Sequence, residues 1–390
     1  MSHKDKLVYI NAIKDRYINS NKEEKKIILD EFCKVCNYNR KYAIRILNKS
    51  TNKWQYKKKR GPKSKYNDKD FVKALKTIWE ATDYICSKRL HSAIPLWLPF
   101  LESQHISITD EVSKKLLSIS PPTIDRILKI SRLKLRKGLS GTKPGSLLKN
   151  QIPIRTDNWD INKPGFIEAD TVAHCGNSLA GDFIWSITMT DILTGWTENR
   201  AVWNKGAIGV NKQVKDIENK LPFELLGFDC DNGSEFLNHH LLRYFTDRKN
   251  KVNFTRSRPY KKNDNAHVEQ KNWTQVRHLF GYDRLDIKSL VEPMNDLYSN
   301  EWSSYNNFFR PSQKLIKKTK INSKYIKKYD KPKTPYERLL DSGILSEEKE
   351  KQLNDLYKIL NPFELKNKIE YKLKQIFKNV IVTSNVRHRI

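Results

Sequence analysis

Three carboxylates, each set in its own short string, constrain this chain more than any other feature. The first closes Gly165-Phe-Ile-Glu-Ala-Asp170, the second opens Asp231-Asn-Gly-Ser-Glu-Phe, and the third lies in Asn265-Ala-His-Val-Glu269-Gln-Lys-Asn. Asp170 and Asp231 are 61 residues apart, and Asp231 and Glu269 are 38 apart. Whether they meet depends on the elements that carry them. Residues 166–173 alternate as a strand does, with Phe166, Glu168, Asp170 and Val172 on one face and Ile167, Ala169 and Thr171 on the other. Residues 181–191 and 195–203 are rich in β-branched and aromatic side chains across a short turn, so the three runs are expected to form an antiparallel meander. A helix over 206–220, marked by Ile208, Val214 and Ile217, leads to a buried strand over 221–231 that ends at the Asn232-Gly233 turn. Such a crossover leaves the last strand parallel to the sheet, and pairing with the first sets Asp170 and Asp231 at adjacent strand ends. A helix from 263–265 through Phe280 would show Asn265, Glu269, Asn272 or Trp273, and Val276 on one face, bringing the third carboxylate to the other two.

Three carboxylates converging in a partly dry site repel one another unless cations neutralise them. Hard oxygen ligands with no cage of His or Cys suit Mg²⁺ or Mn²⁺, not Zn²⁺. A pair of such ions activates a water or a 3′-hydroxyl and stabilises the leaving oxygen of an in-line phosphoryl displacement.

The strings Asp170-Thr-Val-Ala-His, Asp231-Asn-Gly-Ser-Glu-Phe and Asn265-Ala-His-Val-Glu269-Gln-Lys-Asn, in that order, resemble the catalytic core of bacterial insertion-sequence transposases, which share the retroviral-integrase fold. The resemblance runs from Gly165 to Pro311 when the trailing Tyr305-Asn-Asn-Phe-Phe-Arg-Pro-Ser-Gln-Lys is counted. It implies an α/β ribonuclease H-like core, a mixed five-stranded sheet with helices, in which Asp170, Asp231 and Glu269 are the catalytic residues and metal ligands. It also implies a DNA transposase using two Mg²⁺ ions, with Mn²⁺ as substitute, for hydrolysis at transposon ends and then strand transfer by the freed 3′-hydroxyl. One departure is Asp229, an acidic neighbour two residues before Asp231 on the same strand face; Asp231 is preferred because it abuts the Asn-Gly turn.

Charge divides the chain in a way that agrees. Of the net +30, residues 1–164 carry +20, residues 165–300 carry −1 and residues 301–390 carry +11. A nearly neutral core between basic arms is the pattern expected when the arms grip a polyanion, although a general coding bias toward Lys also raises such counts. In residues 1–50, helices over 4–19, 23–35 (Ile27, Ile28, Phe32 and Val35 inward) and 40–48 (Ala43, Ile44 and Leu47 inward) fit a helix-turn-helix. Arg40, Lys41 and Arg45 would then meet DNA. Cys33 and Cys36 lack a second pair at finger spacing and read as core residues.

Residues 51–67 form a basic linker whose Lys57, Lys58, Lys59 and Arg60 suit a minor groove. A second, helix-turn-helix-like all-α domain is expected over 68–137, with Arg126 on its last helix toward DNA, followed by a linker over 138–164. The core covers 165–311. Within it Thr255 to Asn265 reads as a loop whose Arg256, Arg258, Lys261 and Lys262 contact phosphates. Residues 312–390 read as a basic, mainly helical arm.

Double-stranded DNA, as transposon ends and target, is the expected partner, with a homo-oligomer assembled on it. With no apolar run of 18 residues, no apolar leader and five unpatterned cysteines, the expected setting is the bacterial cytoplasm and nucleoid, away from membranes. Two other functions fit the same residues: a nuclease or resolvase of this fold that does not join strands, and a non-catalytic DNA-binding relic.

Overall fold

Side-chain caps at the start of each of the first three helices fix the amino-terminal unit. Ser2 caps α1 (His3–Asn19) and is answered by Asp5; Asn21 caps α2 (Lys22–Cys36) and is answered by Glu24. Asn37, at φ 53°, turns the chain out of α2, and Asn39 caps α3 (Arg40–Leu47). These elements belong to a computed structural model that describes residues 2–48, 65–66, 68–106, 108–135, 162–230, 235–236, 238–256, 266–321 and 324–387. The chain divides into two compact units, Met1–Ser64 and Lys65–Ile390.

In the first unit Ile28, Leu29, Phe32 and Cys36 of α2 meet Ala43 and Leu47 of α3 and Ile10 and Tyr17 of α1. The expected inward positions Ile27, Val35 and Ile44 are exposed instead. On α2 the buried stripe is Ile28, Leu29, Phe32 and Cys36, and Ile27 and Val35 lie on the side of it away from Leu29, facing solvent.

In the second unit α4 (Lys69–Ala81), α5 (Ser87–Trp97), α6 (Asp110–Ser118) and α7 (Pro121–Leu135) precede the sheet. The sheet contains β1 (Phe166–Ala173), β2 (Ile184–Asp191), β3 (Thr197–Trp203), β4 (Gly227–Cys230) and β5 (Asn253–Arg256), in the order β3-β2-β1-β4-β5. The first three strands are antiparallel, and β4 and β5 run parallel to β1. This mixed five-stranded sheet with helices fits the ribonuclease H-like fold. Gly165 makes the entry into β1 workable: at φ 113° a Cβ there would lie 2.4 Å from the Glu224 carbonyl oxygen. Its N–H instead donates to Asp191, and its own carbonyl accepts from Leu226 and Gly227, which seats β1 between β2 and β4.

The helix between β3 and β4, α8 (Ala207–Lys220), buries Val210, Val214 and Ile217, whereas Ile208 is 76% exposed and is not one of its core marks. The strand expected over 221–231 is paired only from Gly227; Pro222, with no N–H to donate, lies in the loop before it. After α9 (His239–Thr246) and β5 comes α10 (Ala266–Lys271), which continues as a π-helical stretch, Asn272–Arg277, into α11 (His278–Phe280). A second such chain follows: α12 (Val291–Leu297), a π-helical Tyr298–Trp302 and α13 (Ser303–Phe309).

The helices before the sheet do not have a core of their own. Trp97 on α5 donates its indole N–H to the Phe309 carbonyl at 3.0 Å and packs edge-on against Tyr305, Phe309 and Phe363. Tyr305 bonds the Ala81 carbonyl at 2.8 Å. The carboxy-terminal helices α14 (Pro335–Asp341) and α16 (Pro362–Arg387) join the same core through Tyr336, Leu339, Phe363 and Ile369, and α15 (Glu347–Ile359) packs against it through the partly buried Leu353 and Tyr357. That arm is not wholly helical, because β6 (Leu315–Ile321) and β7 (Lys324–Tyr329) pair as a separate antiparallel hairpin. Among the described residues no helix is long and apolar enough to cross a membrane.

Candidate active site

Asp170 occupies the middle of the central strand. The β1–β4 pairing runs from Phe166↔Gly227 to Ala169↔Cys230, so Asp170 is the first β1 residue beyond it. Strand alternation puts Glu168, Asp170 and Asp229 on one sheet face, with Ile167, Ala169 and Phe228 on the other. Asp231, the residue after Cys230, lies outside the described residues, as do Lys57, Lys58, Lys59, Arg60, Arg258, Lys261 and Lys262. Asp229 is tied to β5, its Oδ1 accepting the Thr255 hydroxyl at 2.6 Å.

The helix carrying Glu269 docks on that carboxylate face through hydrogen bonds from Val268 and Asn272. The Val268 N–H donates to Glu168 Oε2 at 3.0 Å, and Asn272 Nδ2 donates to Asp170 Oδ2 at 2.7 Å. Glu269 itself lies three residues before Asn272, one helical turn away, and is exposed to solvent. Val276 is buried and Trp273 is 59% exposed, so Asn272 is the inward one of the two alternatives. The second oxygen of Asp170, Oδ1, accepts the Thr171 N–H at 2.7 Å. Thr171 in turn donates its hydroxyl to Glu235 at 3.1 Å, and Phe236 packs against Phe228. Two described residues of the second string are thus fixed beside the first.

Glu168, 3% exposed, and Glu235, 4% exposed, are residues whose anchoring role the sequence reading did not single out. The signal available for Glu168 was its place two residues before Asp170 on the same face. Lys271 was also missed. Its ammonium donates to the Gly195 carbonyl at 3.1 Å, and burial together with the charges of Arg89, Arg310, Arg338 and Lys314 lowers its pKa to about 7.

His174 does not serve the site. It is fully buried, its Nε2 is 2.8 Å from Ser186 Oγ, and that hydroxyl is 2.8 Å from Tyr298 OH. Burial, aided by the Arg277 charge, pushes its pKa down to about 3, so the ring is neutral. All five cysteines are free, and Cys36 is buried in the amino-terminal core. Among the described residues no group of three or more His, Cys, Asp or Glu could hold a metal ion; the expected set includes Asp231, which lies outside them.

The expected DNA contacts that lie among the described residues, Arg40, Lys41, Arg45, Arg126 and Arg256, are surface groups. Arg40 is ion-paired with Asp30, Lys41 is exposed, and the Arg45 guanidinium lies 5.0 Å over the Tyr42 ring. Arg126 bonds the Thr123 hydroxyl at 2.9 Å. Thr255 and Arg256 belong to β5, so the segment expected as loop begins as strand, with Arg256 exposed at its end beside Cys230.

No protein-family model matches the chain. Among solved structures it is similar to the catalytic core domain of BIV integrase, at 15% identity and a TM-score of 0.29 over 46% of this chain and 95% of that one. It is also similar to the HTLV-2 integrase catalytic core domain in complex with magnesium, at 14% identity and a TM-score of 0.28 over 38% of this chain and 88% of that one. Sequence similarity is far stronger to the Uncharacterized protein y4rM of Sinorhizobium fredii (strain NBRC 101917 / NGR234), with 38% identity over 337 residues, 84% of this chain and 93% of that protein. The chain belongs to the family of y4rM.

Proposed function

We propose that this protein is a DNA transposase of the insertion-sequence type, a polynucleotidyl transferase whose metal ligands are Asp170, Asp231 and Glu269. The observation that carries the reading is the 2.7 Å hydrogen bond from Asn272 to Asp170, which docks the Glu269 helix on the carboxylate face of the central strand. Held from two sides, by Thr171 and Asn272, the Asp170 carboxylate keeps a fixed orientation, as metal-binding carboxylates require. An all-oxygen donor set of this kind fits Mg²⁺, or Mn²⁺ in its place, and not Zn²⁺. Bound there, two such ions would lower the pKa of the attacking water or 3′-hydroxyl and stabilise the leaving oxygen.

The remaining work falls to the chain's own residues. Arg256, with Arg258, Lys261 and Lys262, holds phosphates flanking the scissile bond. The α2–α3 pair acts as a helix-turn-helix, with Arg40, Lys41 and Arg45 at the terminal DNA and Lys57 to Arg60 along its minor groove. Arg126 supplies a further contact. The first reaction adds water across a phosphodiester at the transposon end and frees a 3′-hydroxyl. In the second, that hydroxyl displaces a 3′-oxygen of the target strand, and joining two ends calls for a homo-oligomer on DNA.

The test incubates the protein with Mg²⁺, a labelled duplex bearing the DNA that flanks its gene, and a target plasmid. Joined product that Glu269→Gln abolishes is expected. Cleavage without joining would instead identify a nuclease, and metal-independent binding without cleavage a DNA-binding relic.

A further inference from the structure

The β6–β7 hairpin has a charge pattern that folding alone does not favour. Residues 315–329 hold six lysines and no acidic residue. The register sets Lys317 opposite Lys328 and Lys318 opposite Lys327, and like charges directly across a strand pair are destabilising. The ribbon gains little from burial in return: Ile316, Ile321 and Ile326 are 62%, 51% and 57% exposed. A two-stranded ribbon without a packed face is marginal by itself. Its root, by contrast, is clamped. Asp330 accepts from the Lys314 N–H at 2.6 Å and from Arg338 at 2.5 Å, while Ser312 and Lys333 bridge the two chains below it.

Strand alternation separates the exposed lysines onto two faces, Lys317 and Lys328 on one, Lys320 and Lys327 on the other. A flat anionic surface needs only one basic face. A ribbon basic on both faces fits a cleft with anionic walls on both sides. The major groove of B-form DNA is such a cleft, about 12 Å wide and able to admit a two-stranded ribbon. The A-form major groove of duplex RNA is too narrow for side chains to read.

We propose that the β6–β7 hairpin is a DNA-binding arm that inserts into the major groove of duplex DNA, with its lysines meeting the phosphates of both walls. The inference rests on the reading of the protein as one that acts on DNA. Binding of a labelled B-form duplex by the full chain would be followed by fluorescence anisotropy across a salt series. The variant combines Lys317→Gln, Lys327→Gln and Lys328→Gln; a control combines Lys349→Gln, Lys351→Gln and Lys358→Gln on exposed α15, with the same change in net charge.

Each lost phosphate contact reduces the slope of log affinity against log salt by about 0.9, so the hairpin variant should lose about 2–3 and the control nearly nothing. The hairpin variant should melt no lower than the unmodified protein, since the Lys317–Lys328 repulsion is gone. An unchanged slope in the hairpin variant, or an equal loss in the control, would overturn the role of the hairpin while leaving the function intact. Duplex RNA competing as well as duplex DNA would overturn insertion into the groove. An unmodified chain that binds no duplex at all would overturn the transposase reading and this inference with it.

Discussion

Asn272 holds Asp170: its side-chain amide donates to the carboxylate at 2.7 Å from a helix more than 100 residues further along the chain. The contact makes Asn272 a positioning residue in the proposed reaction. Asn272→Ala leaves Asp170 on the strand but removes a donor that orients it. Loss of an outer-shell partner typically lowers metal affinity or activity by about 10–100-fold. The expected outcome is an Mg²⁺ concentration for half-maximal cleavage raised about 10-fold, with DNA affinity unaltered in the absence of metal. An unchanged Mg²⁺ dependence would remove Asn272 from the site.

The buried pair Arg200–Glu198 offers a test of the fold that does not depend on function. Arg200 is 1% exposed and Glu198 2%. Nη1 of Arg200 is 3.4 Å from Glu198, and Nε is 2.6 Å from Asp216. Burial pushes the Glu198 carboxyl above its ordinary range even with Arg200, Ser303 and Trp196 beside it. Removing one partner of such a pair leaves a desolvated charge, which costs about 3–5 kcal/mol. Arg200→Met should destabilise the second unit by that amount in urea unfolding, and adding Glu198→Met should restore part of it. A single variant within about 1 kcal/mol of the unmodified protein would contradict this account.

Much of this architecture was legible because it is local. The alternation of residues 166–173 placed Asp170 on the face that receives the Glu269 helix, and in α4 the buried Phe71, Ala74, Leu75 and Ile78 lie on one helical stripe. Where two stripes compete, spacing alone misleads: Ile27 and Ile208 are as apolar as Ile28 and Val210, and only the neighbouring helix or strand decides between them. The fusion of α4–α7 with the sheet unit was hidden for a different reason. It rests on contacts such as Trp97 to Phe309, 212 residues apart, which leave no periodic trace. The hairpin was obscured by its own lysines, since strand-forming Ile and Tyr are interleaved with charge, and the segment reads as part of a basic, mainly helical arm. Asp231 remains a sequence-based assignment, because it lies outside the described residues.

The Asp83 carboxylate ties distant segments together and should set acid sensitivity. It lies just after α4 and meets Lys366 on α16 at 2.5 Å and Arg310 at 3.8 Å, with Tyr305 OH at 3.1 Å. Burial alone would raise its pKa, but the Arg310 and Lys366 charges, with hydrogen bonds from Lys366 and Tyr305, hold it below the ordinary carboxylate range. A carboxyl depressed in the folded state contributes stability above its unfolded pKa and loses it as pH falls through the folded value. Asp83→Asn should therefore be less stable than the unmodified protein at neutral pH, with the difference shrinking below about pH 4. A difference independent of pH in thermal melts would show that the charge is not what Asp83 contributes.

His174 also loses stability as the pH falls, and its effect begins at higher pH. Its pKa of about 3 in the folded protein lies below the ordinary value of 6.5, so between those values the unfolded chain binds a proton that the folded one refuses. By linkage, the stability that depends on the neutral ring is full above pH 6.5 and falls steadily toward about 3. The slope attributable to this one group is about 1.4 kcal/mol per pH unit. His174→Gln keeps a polar side chain facing Ser186 but does not titrate, so its unfolding free energy should vary less between about pH 6 and about pH 4.5 by that slope, even if it is lower at neutral pH. Urea unfolding at several pH values measures the difference directly. Parallel curves for the two proteins would mean that His174 accepts its proton without unfolding, and that the buried His174–Ser186–Tyr298 chain opens to solvent in the native state.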